Sequence, residues 1–286
     1  SASHQPKSTT STPLAPPRTT KMPHPLAPLA TSFKSLHSPG PILLPNVYDA
    51  TSARLVAALP STKALATASY ALALAGGTTD AELTLDLHLS LLPPIGAVAR
   101  GAGLPLTVDL QDGYGERLEE AIKGVLSQEI GAVGINLEDS TAGGKLLDVD
   151  TAAERIKRAL EIAKGEGVGD FVVNARSDAH FVGGTVDEAI ERGKRYLEAG
   201  ATTVYILAPP GQLMGEGDVV KIVQELGGKV NLAPRWVKPD GGKIEGGLTS
   251  RDLVRLGVAR ISVGPSLYFA AAKALKDAAG FVFGEE

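Results

Sequence analysis

Three short apolar runs of this chain end abruptly in charge: TVDLQDGYG (107–115), INLEDS (135–140) and VNARSDA (173–179). Each reads as a buried strand, and together they deliver Asp109, Glu138, Asp139, Arg176 and Asp178 to their C-terminal ends. Desolvating such groups costs several kcal/mol unless a partner or a metal compensates. The pattern therefore points to one convergent acidic site with an arginine beside it. Hard carboxylate oxygens, with no cysteine and little histidine, suit Mg²⁺ (Mn²⁺ as the related ion) better than zinc or copper. An arginine opposite such an ion suits a small carboxylate or phosphonate, which its planar fork grips bidentately.

The same residues also have plain structural uses. Asp109 and Asp112 could cap the turn DLQDGYG through Asx hydrogen bonds, and Arg176 with Glu138 could form an ion pair. His180 reads as a solvated loop histidine, while Tyr48 and Tyr70 divide between pocket wall and barrel packing. TAGGK (141–145) lacks the spacing of a phosphate loop and carries no weight as a nucleotide site.

The elements that must position these groups follow a repeated strand-then-helix pattern. Strands are expected at 42–45, 64–68, 104–109, 132–137, 171–175, 203–207, 230–233 and 260–263. They are continuous apolar runs, as in parallel strands covered on both faces. Helices are expected at 80–92, opened by a Thr79–Glu82 capping box and stopped by Pro93-Pro94, and at 116–130, 151–165, 186–200, 217–228 and 250–257. Eight such units in about 240 residues match an α/β (β/α)₈ TIM-type barrel. An open doubly wound sheet is the alternative, but PNVYDA after the first strand has no glycine and so lacks a dinucleotide fingerprint. In a barrel, function sits past the strand ends. Those positions hold Asn46, Tyr48 and Asp49; Ser69 and Tyr70; Asp109, Gln111 and Asp112; Glu138 and Asp139; Arg176, Asp178 and His180; Pro234, Arg235 and Trp236. The Ala-rich segment 266–280 adds a terminal helix suited to a subunit contact.

Composition bounds the rest. A chain of 286 residues, 43% hydrophobic, can bury one large core. A net charge of −4, with one Trp and no basic stripe, argues against a nucleic-acid partner. No apolar run is as long as a membrane span. The absence of cysteine removes disulfides, thiolate ligands and thiol acids together, and fits an intracellular protein. Residues 1–38 are rich in Ser, Thr and Pro and contain no Asp or Glu, so they read as a disordered tail before a single domain at 39–286. A cytoplasmic location is expected, with a mitochondrial one as the alternative that an acid-free tail raises; its prolines oppose the amphipathic helix of a transit peptide.

PNVYDATSAR (45–54), Ser69, DLQDGYG (109–115), INLEDS (135–140) and VNARSDA (173–179), in that order, resemble the phosphoenolpyruvate mutase / isocitrate lyase superfamily over roughly residues 40–280. The resemblance implies an α/β barrel with Mg²⁺ at its mouth and a small α-oxo or α-hydroxy acid as substrate. Members stabilise a pyruvate-like enolate while a C–C or P–C bond is made or broken. By position, Asp109 would be a metal ligand, Glu138 would hold the ion directly or from outside its ligand set, and Arg176 would hold a substrate carboxylate. Ser69 and the loop Val47–Ala50 would supply hydrogen bonds to the substrate, with Asn46, Tyr70 and Arg235 around them. The family's terminal helix is often exchanged between subunits, which implies a homo-oligomer, a dimer or tetramer.

Departures from the family pattern are informative. Gln111 stands in the metal set where the family has a second Asp, and Tyr70 stands where a small residue is usual. The segment STAGGKLLDVD (140–150) is shorter than the lyase loop and lacks the Cys that protonates the leaving carbon. The expected activity is a Mg²⁺-dependent lyase on a small α-oxo or α-hydroxy diacid, by decarboxylation or retro-aldol cleavage. Arg176 stabilises the enolate, and Asp49, Asp112 or Tyr48 serves as base where a hydroxyl must lose its proton. The alternatives are P–C chemistry, for which Lys145 is the one cation in the shortened loop, and a non-catalytic barrel with a binding role.

Overall fold

The computed structural model describes residues 24–141 and 143–285. Its strands are β1 (Ile42–Leu44), β2 (Asn46–Val47), β3 (Leu65–Thr67), β4 (Leu106–Asp109), β5 (Gly134–Glu138), β6 (Val172–Ser177), β7 (Thr203–Ile206), β8 (Val230–Leu232) and β9 (Arg260–Ser262). All pair in parallel, in the order β1-β9-β8-β7-β6-β5-β4-β3-β2. β1 and β2 are successive halves of one strand, divided at Pro45, which has no N–H to give to a ladder. One half pairs with the last strand and the other with β3, so the sheet curls into a nearly closed barrel of the (β/α)₈ type. The closure excludes the open doubly wound sheet.

The helices are α1 (Ala27–Ser35), α2 (Ala50–Ala57), α3 (Ser69–Ala75), α4 (Leu85–Leu91), α5 (Pro93–Ala102), α6 (Leu118–Leu126), α7 (Val149–Gly165), α8 (Val186–Glu198), α9 (Glu216–Glu225), α10 (Ser250–Arg255) and α11 (Ser266–Phe283). Two differences from the sequence reading concern prolines. Pro93 opens α5 instead of ending a long helix, since its fixed φ and missing N–H suit a first turn. The stretch 80–92 is accordingly divided: a 3₁₀ turn at Asp80–Glu82, then α4, whose cap is Thr84 (its Oγ1 accepts from Leu87 N–H at 3.3 Å) and not Thr79.

The tail expected at 1–38 is too long. Residues 1–23 lie outside the described residues, but α1 belongs to the folded domain. Phe33 is fully buried and meets His37 edge-on at 5.0 Å. Gly134 in β5 makes room for it, since a Cβ there would come within 3.0 Å of the Phe33 ring and 2.8 Å of the Val172 carbonyl.

The core splits by side. Outward-facing residues such as Val108, Ile135, Val173, Val204 and Ile261 are buried under the helices. The barrel interior is polar: Asn174 Nδ2 donates to Asn136 Oδ1 (3.0 Å), Thr203 Oγ1 to Asn174 Oδ1 (2.6 Å), and the buried Arg260 Nη2 to Asn136 Oδ1 (3.0 Å). Among the described residues no helix is long and apolar enough to cross a membrane.

Candidate active site

β4 ends in Asp109, whose Oδ2 accepts from both the N–H (2.9 Å) and the hydroxyl (3.0 Å) of Ser69, at the start of α3. Its own N–H donates to Thr67 Oγ1 (3.0 Å). Two residues on, Gln111 has φ +52°. A non-glycine residue held there costs on the order of 1–3 kcal/mol and persists only where its surroundings over-determine it. Here they do. Gln111 Nε2 donates to the Asp80 carbonyl (2.8 Å) and to Asp80 Oδ1 (2.9 Å), and its carbonyl accepts from Glu138 N–H (2.9 Å). Asp80 thus joins the site, a residue that the sequence reading had placed only as the first of a helix. Burial raises its carboxyl above the usual range and repulsion from Asp109 adds to this, against the nearby Ser69 hydroxyl, the Gln111 amide and the charge of Arg176.

Glu138 and Arg176 face each other in the β5–β6 register. Arg176 Nη1 donates to Glu138 Oε1 at 2.6 Å and Nε to Asp178 Oδ1 at 2.5 Å, with the Phe181 ring 5.7 Å from its guanidinium carbon. Burial pushes the Glu138 carboxyl up; Arg176 pulls it back, and Asp109, Asp178 and Asp80 push further. Burial alone would lower Arg176, but Glu138, Asp178 and Asp109 outweigh it and hold the guanidinium charged. Nη2 has no partner among the described residues.

The neighbours of this pair are structural. Ser140 Oγ donates to Asp178 Oδ2, and Asp178 N–H to Asp139 Oδ1 (2.7 Å). Asp139 Oδ2 accepts from Tyr196 OH (2.6 Å) and Arg192 Nη1 (3.2 Å) on α8, so this carboxylate ties a helix to the strand end. The shortened segment after it closes on itself through a Ser140–Leu146 bridge and a Thr141 N–H to Lys145 carbonyl bond of 2.9 Å. Lys145 is exposed.

Tyr205, on β7, was missed by the sequence reading. Thr203 faces the barrel interior, and side chains two residues apart share a face of a strand. Tyr205 therefore stands on the same side, one level higher, in register with Arg176 and Asn231. Burial pushes its phenol up to about 12; Arg176 and Arg235 oppose this, Asp109 and Asp178 add to it. Arg235 Nη1 donates to the carbonyls of Gln212 (2.8 Å) and Pro209 (3.3 Å), and with Tyr205, Leu213 and Met214 it lines a small cavity above β7 and β8.

Several of the expected residues also have structural partners. Asp49 Oδ1 accepts from Ser52 N–H (2.6 Å) in a capping box that opens α2, and Asp112 Oδ1 accepts from Tyr114 N–H (2.8 Å) in the turn. Each carboxylate satisfies, through one oxygen, a backbone N–H group that would otherwise lack a partner. Asn46 is a buried clamp: its Nδ2 donates to the Thr67 carbonyl (2.7 Å) and its Oδ1 accepts from the N–H groups of Val263 (2.8 Å) and Gly264 (3.0 Å). Tyr48 packs edge-on against Tyr268 at 5.1 Å. Tyr70 leans on Phe269 at 5.9 Å and is 43% exposed. His180 Nδ1 lies 3.0 Å from the Gly184 carbonyl.

The donors fit a hard divalent cation in kind: Asp109 Oδ1 and Glu138 Oε2 have no hydrogen bond to a described residue, and Asp80 and Asp109 repel each other across Gln111. Among the described residues, however, no three His, Asp or Glu groups converge as a ready ligand set. Asp109, Glu138 and Gln111, with Asp80 beside them, are the residues that would hold the cation.

The comparisons with known proteins agree with this barrel. An uncharacterised protein of Mycobacterium tuberculosis (strain H37Rv) is 32% identical over 253 residues, 87% of each chain. The 2-methylisocitrate lyase of Escherichia coli K12 is 32% identical over 189 residues, 60% of this chain and 62% of the enzyme. Among solved structures, a candidate phosphonomutase from Burkholderia cenocepacia J2315 superposes with a TM-score of 0.75 at 34% identity, covering 91% of this chain and 99% of that one. The family model described as phosphoenolpyruvate phosphomutase matches residues 33–283, which takes in every strand and the whole candidate site, and the chain belongs to that family.

Proposed function

We propose that this chain is a Mg²⁺-dependent carbon–carbon lyase that acts on a small α-oxo or α-hydroxy diacid through a pyruvate-like enolate. The observation that supports it most is Arg176, held by Glu138 and Asp178 with Nη2 left without a described partner, at the same strand ends as the Ser69-anchored Asp109. A fixed guanidinium beside developing negative charge stabilises it without reorganisation. The metal, held by Asp109 with Glu138, Gln111 and Asp80 around it, would polarise the carbonyl as a Lewis acid. Arg176 would orient the substrate carboxylate, and the Ser69 N–H and hydroxyl would keep Asp109 in place. With Asp49 and Asp112 engaged by backbone, decarboxylation needs less of this chain than retro-aldol cleavage, which requires a base for the hydroxyl proton. The test is incubation with Mg²⁺ and a panel of 2-oxo and 2-hydroxy diacids. Pyruvate or glyoxylate release from at least one is expected, and its absence from all would overturn the reading.

The likeness to the candidate phosphonomutase favours P–C chemistry as the second reading. It places a heavier demand on cations, and the exposed Lys145 is the one the shortened loop offers. Phosphorus NMR on phosphonopyruvate separates the two. A binding role without catalysis is supported by the partners that Glu138 and Gln111 already have, and predicts no Mg²⁺-dependent rise in melting temperature.

A further inference from the structure

An enolate released by C–C cleavage must receive a proton on carbon, and this chain has no cysteine to give one. The other acids near the strand ends are engaged or misplaced. Asp49 and Asp112 hold backbone N–H groups, and the Tyr114 hydroxyl lies 2.7 Å from His88 Nδ1. Tyr48 and Tyr70 lean on Tyr268 and Phe269, and the carboxylate acting on Tyr48 is that of Asp49. Tyr205 differs from all of these. It stands on the interior face of β7 beside Arg176, its hydroxyl has no hydrogen bond to any described residue, and the charges acting on it are those of the site: Arg176, Asp109, Arg235 and Asp178.

We propose that Tyr205 is the catalytic acid that protonates the enolate carbon, an inference that rests on the lyase reading above. In the step, the Tyr205 O–H bond breaks as a C–H bond forms from the enolate π pair, and the enolate oxygen becomes the product carbonyl. The phenolate left behind is stabilised by the guanidinium groups of Arg176 and Arg235, and then takes a proton from water, releasing hydroxide to solvent. Burial keeps the phenol protonated at any ordinary working pH, so the acid is loaded before each turnover. The closed Ser140–Leu146 segment then needs no mobile proton donor of its own.

The experiment compares the wild-type protein with Tyr205→Phe in D₂O with Mg²⁺ and pyruvate, following loss of the methyl proton signal by NMR. It also measures the rise in melting temperature that oxalate, an analogue of the enolate, gives with Mg²⁺. A general acid contributes about 10²–10⁴-fold. Exchange slowed at least ~100-fold in Tyr205→Phe, with the oxalate-induced rise unchanged, is the expected result. Exchange at the wild-type rate in Tyr205→Phe would overturn the inference and leave the lyase reading standing. Loss of the oxalate response in the variant would also overturn it, making Tyr205 a wall of the site. A wild-type protein that exchanges no pyruvate and cleaves no acid of the panel would remove the lyase reading and this inference together.

Discussion

His88 is fully buried on α4, with Nδ1 2.7 Å from the Tyr114 hydroxyl and Nε2 without a partner among the described residues. Burial pulls its pKa down to about 4, against the opposing charge of Asp109. His37 is pulled to about 4 as well, by burial and by Arg260. A depressed imidazole binds its proton more weakly folded than unfolded, so each histidine contributes stability that is complete above pH ~6.5 and lost as pH falls toward 4, up to about 3 kcal/mol. His88→Gln should lose less melting temperature across that window than the wild type, because one of the two depressed imidazoles is gone. Parallel curves in a pH-resolved thermal melt would show that His88 is not the buried neutral group described. Residues of this kind were hidden in the sequence for a physical reason. Asp109, Glu138 and Arg176 were legible because each breaks an apolar run, and a charge at that place needs an explanation. His88, Asp80 and Tyr205 break nothing: one sits in an amphipathic helix, one looks like a helix opener, and one is an aromatic in a strand. Asp80 reaches the site only because Gln111, in its left-handed conformation, grips its carbonyl and carboxylate together.

Elements were more legible than residues, and the exceptions share a cause. All eight expected strands are present, because parallel strands buried on both faces leave continuous apolar runs. α1, α2, α3 and α5 went unread. They are short and rich in Ala, Ser or Pro, and their stability comes from tertiary contacts, with little periodic signal of their own. α1 is the instructive case, since proline and serine around it imitate the disordered tail. Its place in the fold rests on Phe33, seated where Gly134 leaves space. Emptying a fully buried phenylalanine site costs about 3–5 kcal/mol. Phe33→Ala should therefore lower the free energy of unfolding by that amount in a denaturant titration. A loss under about 0.5 kcal/mol, the scale of ordinary surface substitutions, would return α1 to the tail.

At the scale of the molecule, α11 is the element the monomer does not account for. Its first turns pack at the barrel rim through Tyr268 on Tyr48 and Phe269 on Tyr70. Beyond Ala270 the helix runs out exposed, with Leu275, Phe281, Val282 and Phe283 each more than 70% accessible. Eighteen residues of helix reach about 27 Å, so the apolar end stands well clear of its own barrel. We propose that it docks on a second copy of the chain, giving a homo-oligomer in which helices are exchanged in pairs. Burying an aromatic ring contributes about 1.5–3 kcal/mol, so the four rings that Phe281 and Phe283 supply across a two-fold pair bring roughly 6–12 kcal/mol. A micromolar dimer needs about 8 kcal/mol net of the entropy lost on association, which makes these rings a decisive share of the interface. Light scattering at micromolar concentration should find the wild type oligomeric and the Phe281→Asp/Phe283→Asp double variant monomeric. The barrel core does not include these residues, so the variant should keep its strand and helix signals. A wild type that is already monomeric would mean that the exposed end of α11 meets something other than its own kind.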